Sequence, residues 1–152
     1  MSEQQLAEAI IALSHADDWE EAKREWSLAK VYEAEEPETC LCGKYPILEI
    51  CILHNRLNHE LATVGNHCVK KFLELESDKI FSAIKRVRRE NKRALNAEAV
   101  EYGHNKGWIN AWERSFYLDT MRKRNLSEKQ RAKRVQINEK FSANLKESGS
   151  RS

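Results

Sequence analysis

The chain has 152 residues, of which 41% are hydrophobic and 33% are charged. This length favours one domain, or a small domain with helical extensions, and the composition leaves apolar residues for only a small core. The absence of a run of about 20 apolar residues excludes a membrane-spanning helix. The N-terminus has no basic segment and no continuous apolar stretch, as a signal peptide would, so we expect a reducing cytoplasmic location.

Charge is segregated along the sequence. Residues 1–39 carry three basic and eleven acidic side chains, a net charge of −8. Residues 40–76 are neutral, and residues 77–152 carry nineteen basic and nine acidic side chains, a net charge of +10. The basic part could bind a polyanion, or it could pair with the acidic part within the fold.

We predict that residues 1–36 form acidic N-terminal helices. The first helix covers residues 3–14, and Asp17 or Asp18 can cap a second one over residues 17–36. Four residues share one face of this second helix at helical spacing: Trp19, Ala22, Trp26 and Ala29. We expect the tryptophans to be core anchors, and Pro37 to end the helix near residue 35.

Residues 37–76 contain all four cysteines of the chain, Cys40, Cys42, Cys51 and Cys68. The first two lie in a tight turn that Gly43 allows. Residues 46–54 and 59–64 predict a β-hairpin, and a short helix begins near Gly65, which places Cys68 in its first turn. This order of knuckle, hairpin and short helix is typical of a treble-clef-like zinc unit.

The four cysteines predict one structural Zn²⁺, because clustered thiols in a reducing compartment are metal ligands more often than disulfides. Four cysteine ligands would leave no open position on the metal. One alternative is a set of buried free thiols. Another replaces one cysteine by a histidine, with His67 as the first candidate and His54 and His59 as further ones.

Residues 77–146 predict basic C-terminal helices, and the fold class is therefore mainly α with a small β-hairpin. The first of these helices covers residues 77–102, with Ser77 as its cap. Its cations form a dense patch that we predict to bind nucleic acid: Lys85, Arg86, Arg88, Arg89, Lys92 and Arg93. Cations within residues 122–134 extend this surface.

Two more helices complete the predicted C-terminal region. A turn at residues 103–107 leads into a helix over 107–124, on which Trp108, Trp112 and Phe116 share a packed face. Ser127 and Gln130 predict a capping box at the start of the last helix. Residues 147–152 are predicted to be disordered.

Residues 19–72 resemble a small cysteine-rich domain of uncharacterised phage and prophage proteins. The elements that carry the resemblance are WEEAKREW at 19–26, CLCGKYPI at 40–47, HNRLN at 54–58 and VGNHCVKKF at 64–72. The later WERSF and LSEKQ segments resemble elements that accompany such domains. Leu57 and Asn58 replace the small or threonine-containing turn usual there. The resemblance implies a compact zinc-binding module that acts in a bacterial cytoplasm, with the four cysteines as metal ligands. It does not imply any particular activity.

Three functions follow as hypotheses. The first is a non-enzymatic zinc-binding accessory protein that contacts nucleic acid or a nucleoprotein through the basic helices, without a small-molecule substrate. The second is a protein-interaction module, such as a phage-encoded inhibitor or adaptor of a host protein. The third, a ββα-metal nuclease using His54, is disfavoured because the expected histidine and asparagine on the helix are missing.

Overall fold

An antiparallel sheet of three long strands organises the N-terminal half of the chain. A computed structural model describes residues 3–147, which divide into two units, residues 3–78 with 147, and Lys79–Lys146. No helix within the described residues is long and apolar enough to cross a membrane.

The first unit combines the sheet with short helices. Its elements are α1 (Glu3–Ala12), α2 (Trp19–Lys23), β1 (Trp26–Glu38), β2 (Ile47–Asn55), β3 (Leu61–Gly65), α3 (Asn66–Cys68) and a π-helical turn (Val69–Leu73). The predicted hairpin is therefore present as β2 and β3. The long strands lie in the order β3-β2-β1, so β2 is central. The first unit therefore combines short helices with three long strands, whereas the sequence predicted a two-stranded hairpin.

The central strand has a neighbour at each edge and most of its residues are buried. Cys51 pairs with Val31 of β1 and with Val64 of β3, and all three residues are buried. Its neighbours along β2 face the other way, and Ile50 packs with Tyr32 in an apolar cluster. Residues on both faces of β2 thus belong to the core.

The predicted second helix, residues 17–36, is wrong beyond Lys23. Asp18 caps α2 by accepting from the Glu21 N–H, as expected, but the chain then turns and enters β1 at Trp26. The side chain of Glu25 fixes this turn, accepting from the backbone N–H groups of His15 and Ala16. Pairing with β2 satisfies the backbone of β1 and overrides the helix-favouring composition of the segment.

Trp26 has the predicted anchoring role although it lies on a strand. It is buried, and its indole N–H donates to the Ser14 hydroxyl at 2.8 Å. Trp19 is only half-buried, and its indole N–H donates to Glu3. The two tryptophans therefore do not form the single helical face that their spacing predicts.

The second unit is helical. After α4 (Ser77–Arg89) come α5 (Ala97–Asn105), α6 (Ala111–Thr120), α7 (Glu128–Leu145) and a two-residue strand, β4 (Lys146–Glu147). The predicted apolar stripe of the first helix is buried: Ile80, Phe81, Ile84, Val87 and Leu95. Ser127 and Gln130 form the predicted capping box.

The single helix predicted over residues 77–102 is interrupted between Arg89 and Ala97. Side chains satisfy the backbone of the intervening turn, so the chain can leave the helix there. Arg86 donates two hydrogen bonds to the Ala94 carbonyl, and Asn96 caps α5 by accepting from the Ala99 N–H. The same helix, α5, extends through the predicted turn at 103–107 as far as Asn105.

Two further expectations for the C-terminal helices are corrected. Trp112 is 62% exposed, not packed, and lies stacked on Phe116 with ring centroids 5.4 Å apart. Arg134, predicted to be exposed, is 7% exposed and donates to the Thr120 carbonyl. Glu147 of the predicted disordered tail is in β4, and residues 148–152 lie outside the described residues.

Candidate metal centre

Cys40 and Cys42 lie in a tight turn between β1 and β2. The turn is closed by the Cys40 N–H, which donates to the Lys44 carbonyl, and by the Gly43 N–H, which donates to the Cys40 carbonyl at 2.8 Å. Gly43 has φ +94°, a conformation that side chains with a Cβ disfavour. This turn directs both thiols inward, and each cysteine is only 3% exposed.

Cys68 brings a third thiol to the same place from the segment that follows β3. It is the last residue of α3, immediately after β3, and is 6% exposed. The Sγ atoms of Cys40, Cys42 and Cys68 all lie within 4.8 Å of one another. Three buried cysteines close together can hold a metal ion, and a thiolate-rich set suits zinc.

Backbone groups around Cys40 favour its charged form. Its Sγ accepts from the backbone N–H groups of Cys42 at 3.4 Å and Gly65 at 3.3 Å. A hydrogen bond from the Cys68 thiol lowers the pKa of Cys40 to about 5, although burial opposes this and the two N–H donors add to it. The same hydrogen bond, together with burial, raises the pKa of Cys68. These hydrogen bonds therefore favour the charged form of Cys40 over that of Cys68, against the expectation that a helix start favours the Cys68 thiolate.

Cys51, the fourth predicted ligand, is outside this cluster. It lies on the central strand, fully buried between Val31 and Val64, and interacts with the Ser77 side chain. Burial raises the pKa of Cys51 to about 12, which keeps the thiol neutral. The prediction of four converging cysteines is corrected to three because alternation along β2 and its two neighbouring strands place this thiol in the sheet core.

The histidines proposed as replacement ligands do not complete the cluster. Within residues 3–145, no histidine, aspartate, glutamate or further cysteine joins the three thiols within 4.8 Å. His67 is exposed beside Cys68. His54 and His59 contact each other instead, with Nε2 and Nδ1 3.3 Å apart.

The three thiols line a cavity of about 510 Å³. Apolar side chains form much of its wall, among them Pro46, Ile47, Leu48 and Phe72. Its polar lining includes Lys44, Glu49, Asn66, His67 and Lys71. The sequence-based interpretation of a closed four-cysteine site did not include this cavity, which Cys51 does not line.

The predicted nucleic-acid-binding residues fall into two groups. Lys85, Arg86 and Arg88 are half-buried on α4, and Arg86 is engaged with the Ala94 carbonyl. Arg89, Lys92 and Arg93 are exposed at the end of α4 and in the turn that follows. Arg93 also pairs with Glu90, with Nη1 and Oε2 3.7 Å apart.

Comparisons of the chain with protein-family models, with curated proteins and with solved structures find no match. The site must therefore be interpreted from its own chemistry.

Proposed function

We propose that this chain is a zinc-binding accessory protein in which Cys40, Cys42 and Cys68 hold one Zn²⁺. The observation that carries the proposal is the convergence of three buried thiols from two segments 26 residues apart in sequence. Three adjacent thiols are a donor set that suits zinc. The two N–H donors to Cys40 provide the outer hydrogen bonds that metal-bound thiolates accept.

The metal would have a structural role. It would tie the turn after β1 to the helix after β3, at one end of the sheet. The first unit has a small core, so a metal crosslink there would contribute directly to its folding free energy.

Metal content of the purified protein tests this proposal. We expect one zinc per chain by plasma emission spectrometry, and loss of that zinc in Cys40→Ser, Cys42→Ser and Cys68→Ser. Cys51→Ala is the matched control, since it removes a buried thiol outside the cluster and should retain the metal. Loss of zinc in Cys51→Ala with an intact circular dichroism spectrum would instead support the four-cysteine site.

A second part of the proposal is contact with nucleic acid. It is supported by exposed cations in two turns of the helical unit, namely Arg89, Lys92 and Arg93 before α5, and Arg122, Lys123 and Arg124 before α7. Their side chains are accessible to phosphates, whereas Arg86 and Arg134 hold backbone carbonyls. Binding through phosphates is sequence-tolerant and depends steeply on salt.

Fluorescence anisotropy with short single- and double-stranded DNA and RNA tests the contact. The informative variant reverses Arg89, Lys92 and Arg93 to glutamate, which leaves the structural Arg86 in place. We expect weaker binding, with a salt dependence smaller by about three in the slope of log K against log salt. A charge-matched control reverses Arg24, Arg56 and Lys70, which are exposed in the first unit.

The outcome also separates this proposal from the protein-interaction alternative. No binding at low salt, or equal losses in the variant and its control, would contradict a nucleic-acid surface on the helical unit. A stoichiometric partner recovered from nuclease-treated lysate would then favour an adaptor or inhibitor.

A further inference from the structure

We propose that the metal held by Cys40, Cys42 and Cys68 keeps its fourth position open to the adjoining cavity. We further propose that this position accepts a small molecule with an imidazole or thiol donor and an apolar body. The inference rests on the proposed zinc site and adds an exchangeable ligand to it. It changes the expected character of the site from closed to accessible.

The three thiols are one donor fewer than zinc requires. Zinc in proteins is almost always four-coordinate, and a site with three protein ligands takes its fourth from water or another molecule. The described part of the chain supplies three thiols and no fourth histidine, cysteine or carboxylate at comparable distance. Cys51, the obvious fourth donor, is held in the sheet core and interacts with Ser77.

A cavity lies beside the three thiols. The cavity of about 510 Å³ includes Cys40, Cys42 and Cys68 in its own wall, so the metal position faces it. This volume lies within the range of small-molecule sites, which are concave and mostly apolar with a few polar groups. A structural site filled by protein would leave no such space at the metal.

The walls of this cavity carry both apolar and charged side chains. Ile47, Leu48 and Phe72 offer apolar surface to the body of a ligand. The Glu49 carboxylate accepts from the side-chain N–H of Asn66 at 3.1 Å and does not join the three thiols within 4.8 Å. Lys44 and Lys71 are exposed lining residues, and their charge offsets the excess negative charge of three thiolates on a divalent ion.

The metal itself selects the donor atom. Zinc bound by thiolates is borderline-soft and favours nitrogen and sulfur over oxygen donors. An imidazole or thiol at the fourth position, with its carbon body against Phe72, therefore fits both the metal and the cavity.

Cobalt substitution tests the inference directly. Co²⁺ in place of zinc gives visible absorption that reports the number and type of ligands, without any need for an activity. Titration of the Co²⁺ protein with imidazole and with 4-phenylimidazole should shift these bands and saturate. We expect 4-phenylimidazole to bind at least tenfold more tightly, because its ring would fill the apolar part of the cavity.

Two variants sharpen the test. Phe72→Ala should reduce the preference for 4-phenylimidazole while leaving the spectrum of the ligand-free Co²⁺ protein unchanged. His67→Ala should also leave that spectrum unchanged, because His67 is not a ligand. A changed spectrum in His67→Ala, together with wild-type bands that do not respond to imidazole, would overturn the inference and assign the fourth position to His67.

The outcomes distinguish the inference from the proposal on which it rests. A protein that takes up no Co²⁺ or Zn²⁺ contradicts the metal site itself. A protein that binds one Co²⁺ but whose bands are insensitive to both imidazoles up to high concentration retains the metal site and overturns the open position. Equal affinities for the two imidazoles would overturn the apolar-bodied ligand alone.

Discussion

The hydroxyl of Tyr117 donates a 2.6 Å hydrogen bond to Asn138 Oδ1, and this pair supports the turn between α4 and α5. The same hydroxyl accepts from the Leu95 N–H at 2.8 Å. Asn138 in turn donates from its Nδ2 to the carbonyls of Asn91 and Arg93 at 2.8 Å each. One buried tyrosine and one buried asparagine thus satisfy three backbone groups of a turn that presents exposed cations.

Replacing Tyr117 by phenylalanine should destabilise the protein by about 1–3 kcal/mol, because a buried donor and a buried acceptor lose their partner. The ring and its packing are retained, so the loss reports the hydroxyl alone. Urea unfolding followed by circular dichroism measures it. Tyr45→Phe is the control, since Tyr45 is 62% exposed. Equal stability of the two variants would contradict a structural role for the Tyr117–Asn138 pair.

A second prediction concerns the contact between α5 and α7. A Cβ at Gly103 would overlap the Phe141 ring, which is fully buried and lies edge-on to Trp108. We expect Gly103→Ala to destabilise the protein by about 1–3 kcal/mol through overpacking. The same substitution in a Phe141→Leu background should cost less, because the smaller side chain leaves room. Additive losses in the double variant would show that the two residues are not in contact.

Local patterns in the sequence predicted part of the site. The Gly43 turn, the strand after it, the return strand and the helix start at Asn66 all depend on neighbouring residues, and they place Cys40, Cys42 and Cys68 together. The apolar stripe of α4 is likewise visible at helical spacing. These features are the ones that sequence periodicity and turn chemistry describe. The hydroxyl of Ser77, predicted as a helix cap, instead donates to Asn66 Oδ1 at 2.7 Å.

The remaining features depend on contacts between distant residues. Residues 26–38 are rich in helix-favouring glutamate and alanine, and they form a strand that pairs with β2. That third strand determines the environment of Cys51, because Val31 closes one side of it. Similarly, the break after Arg89 depends on Asn138, which lies 45 or more residues away in sequence. Tertiary pairing of this kind overrides local propensity.

A third prediction follows from Glu113. Its carboxylate is buried and forms two ion pairs. Oε2 lies 2.8 Å from Lys140 Nζ and 3.2 Å from Lys133 Nζ. Burial alone would raise the pKa of Glu113, but hydrogen bonds from Lys140, from the Asn110 N–H and from Lys133 lower it to about 2, from 4.5. The folded state therefore gains stability from ionised Glu113 above pH 4.5, and loses it as the pH falls toward 2.

Urea unfolding between pH 7 and pH 2.5 tests this dependence. Glu113→Gln should be less stable at pH 7 by about 3 kcal/mol, the value that the pKa difference implies, and should approach the wild type in acid. Glu139→Gln, at an exposed position on α7, is the control and should follow the wild type. A constant difference between wild type and Glu113→Gln at every pH would contradict the assignment.

The last prediction connects backbone conformation to metal affinity. Gly43 has φ +94°, and a Cβ there would lie 2.6 Å from Gln5 Nε2, so alanine would strain the turn that carries Cys40 and Cys42. A left-handed conformation costs an L-residue about 1–2 kcal/mol, which corresponds to a decrease in zinc affinity of about tenfold if the strain is relieved by opening the turn. Competition with a chromophoric chelator measures the affinity.

Gly107→Ala is the matched control, because Gly107 has φ +79° with open space around it and lies in the helical unit. It should lose comparable stability and keep wild-type zinc affinity. Equal zinc affinities of Gly43→Ala and Gly107→Ala would show that the geometry of the turn does not control the metal site.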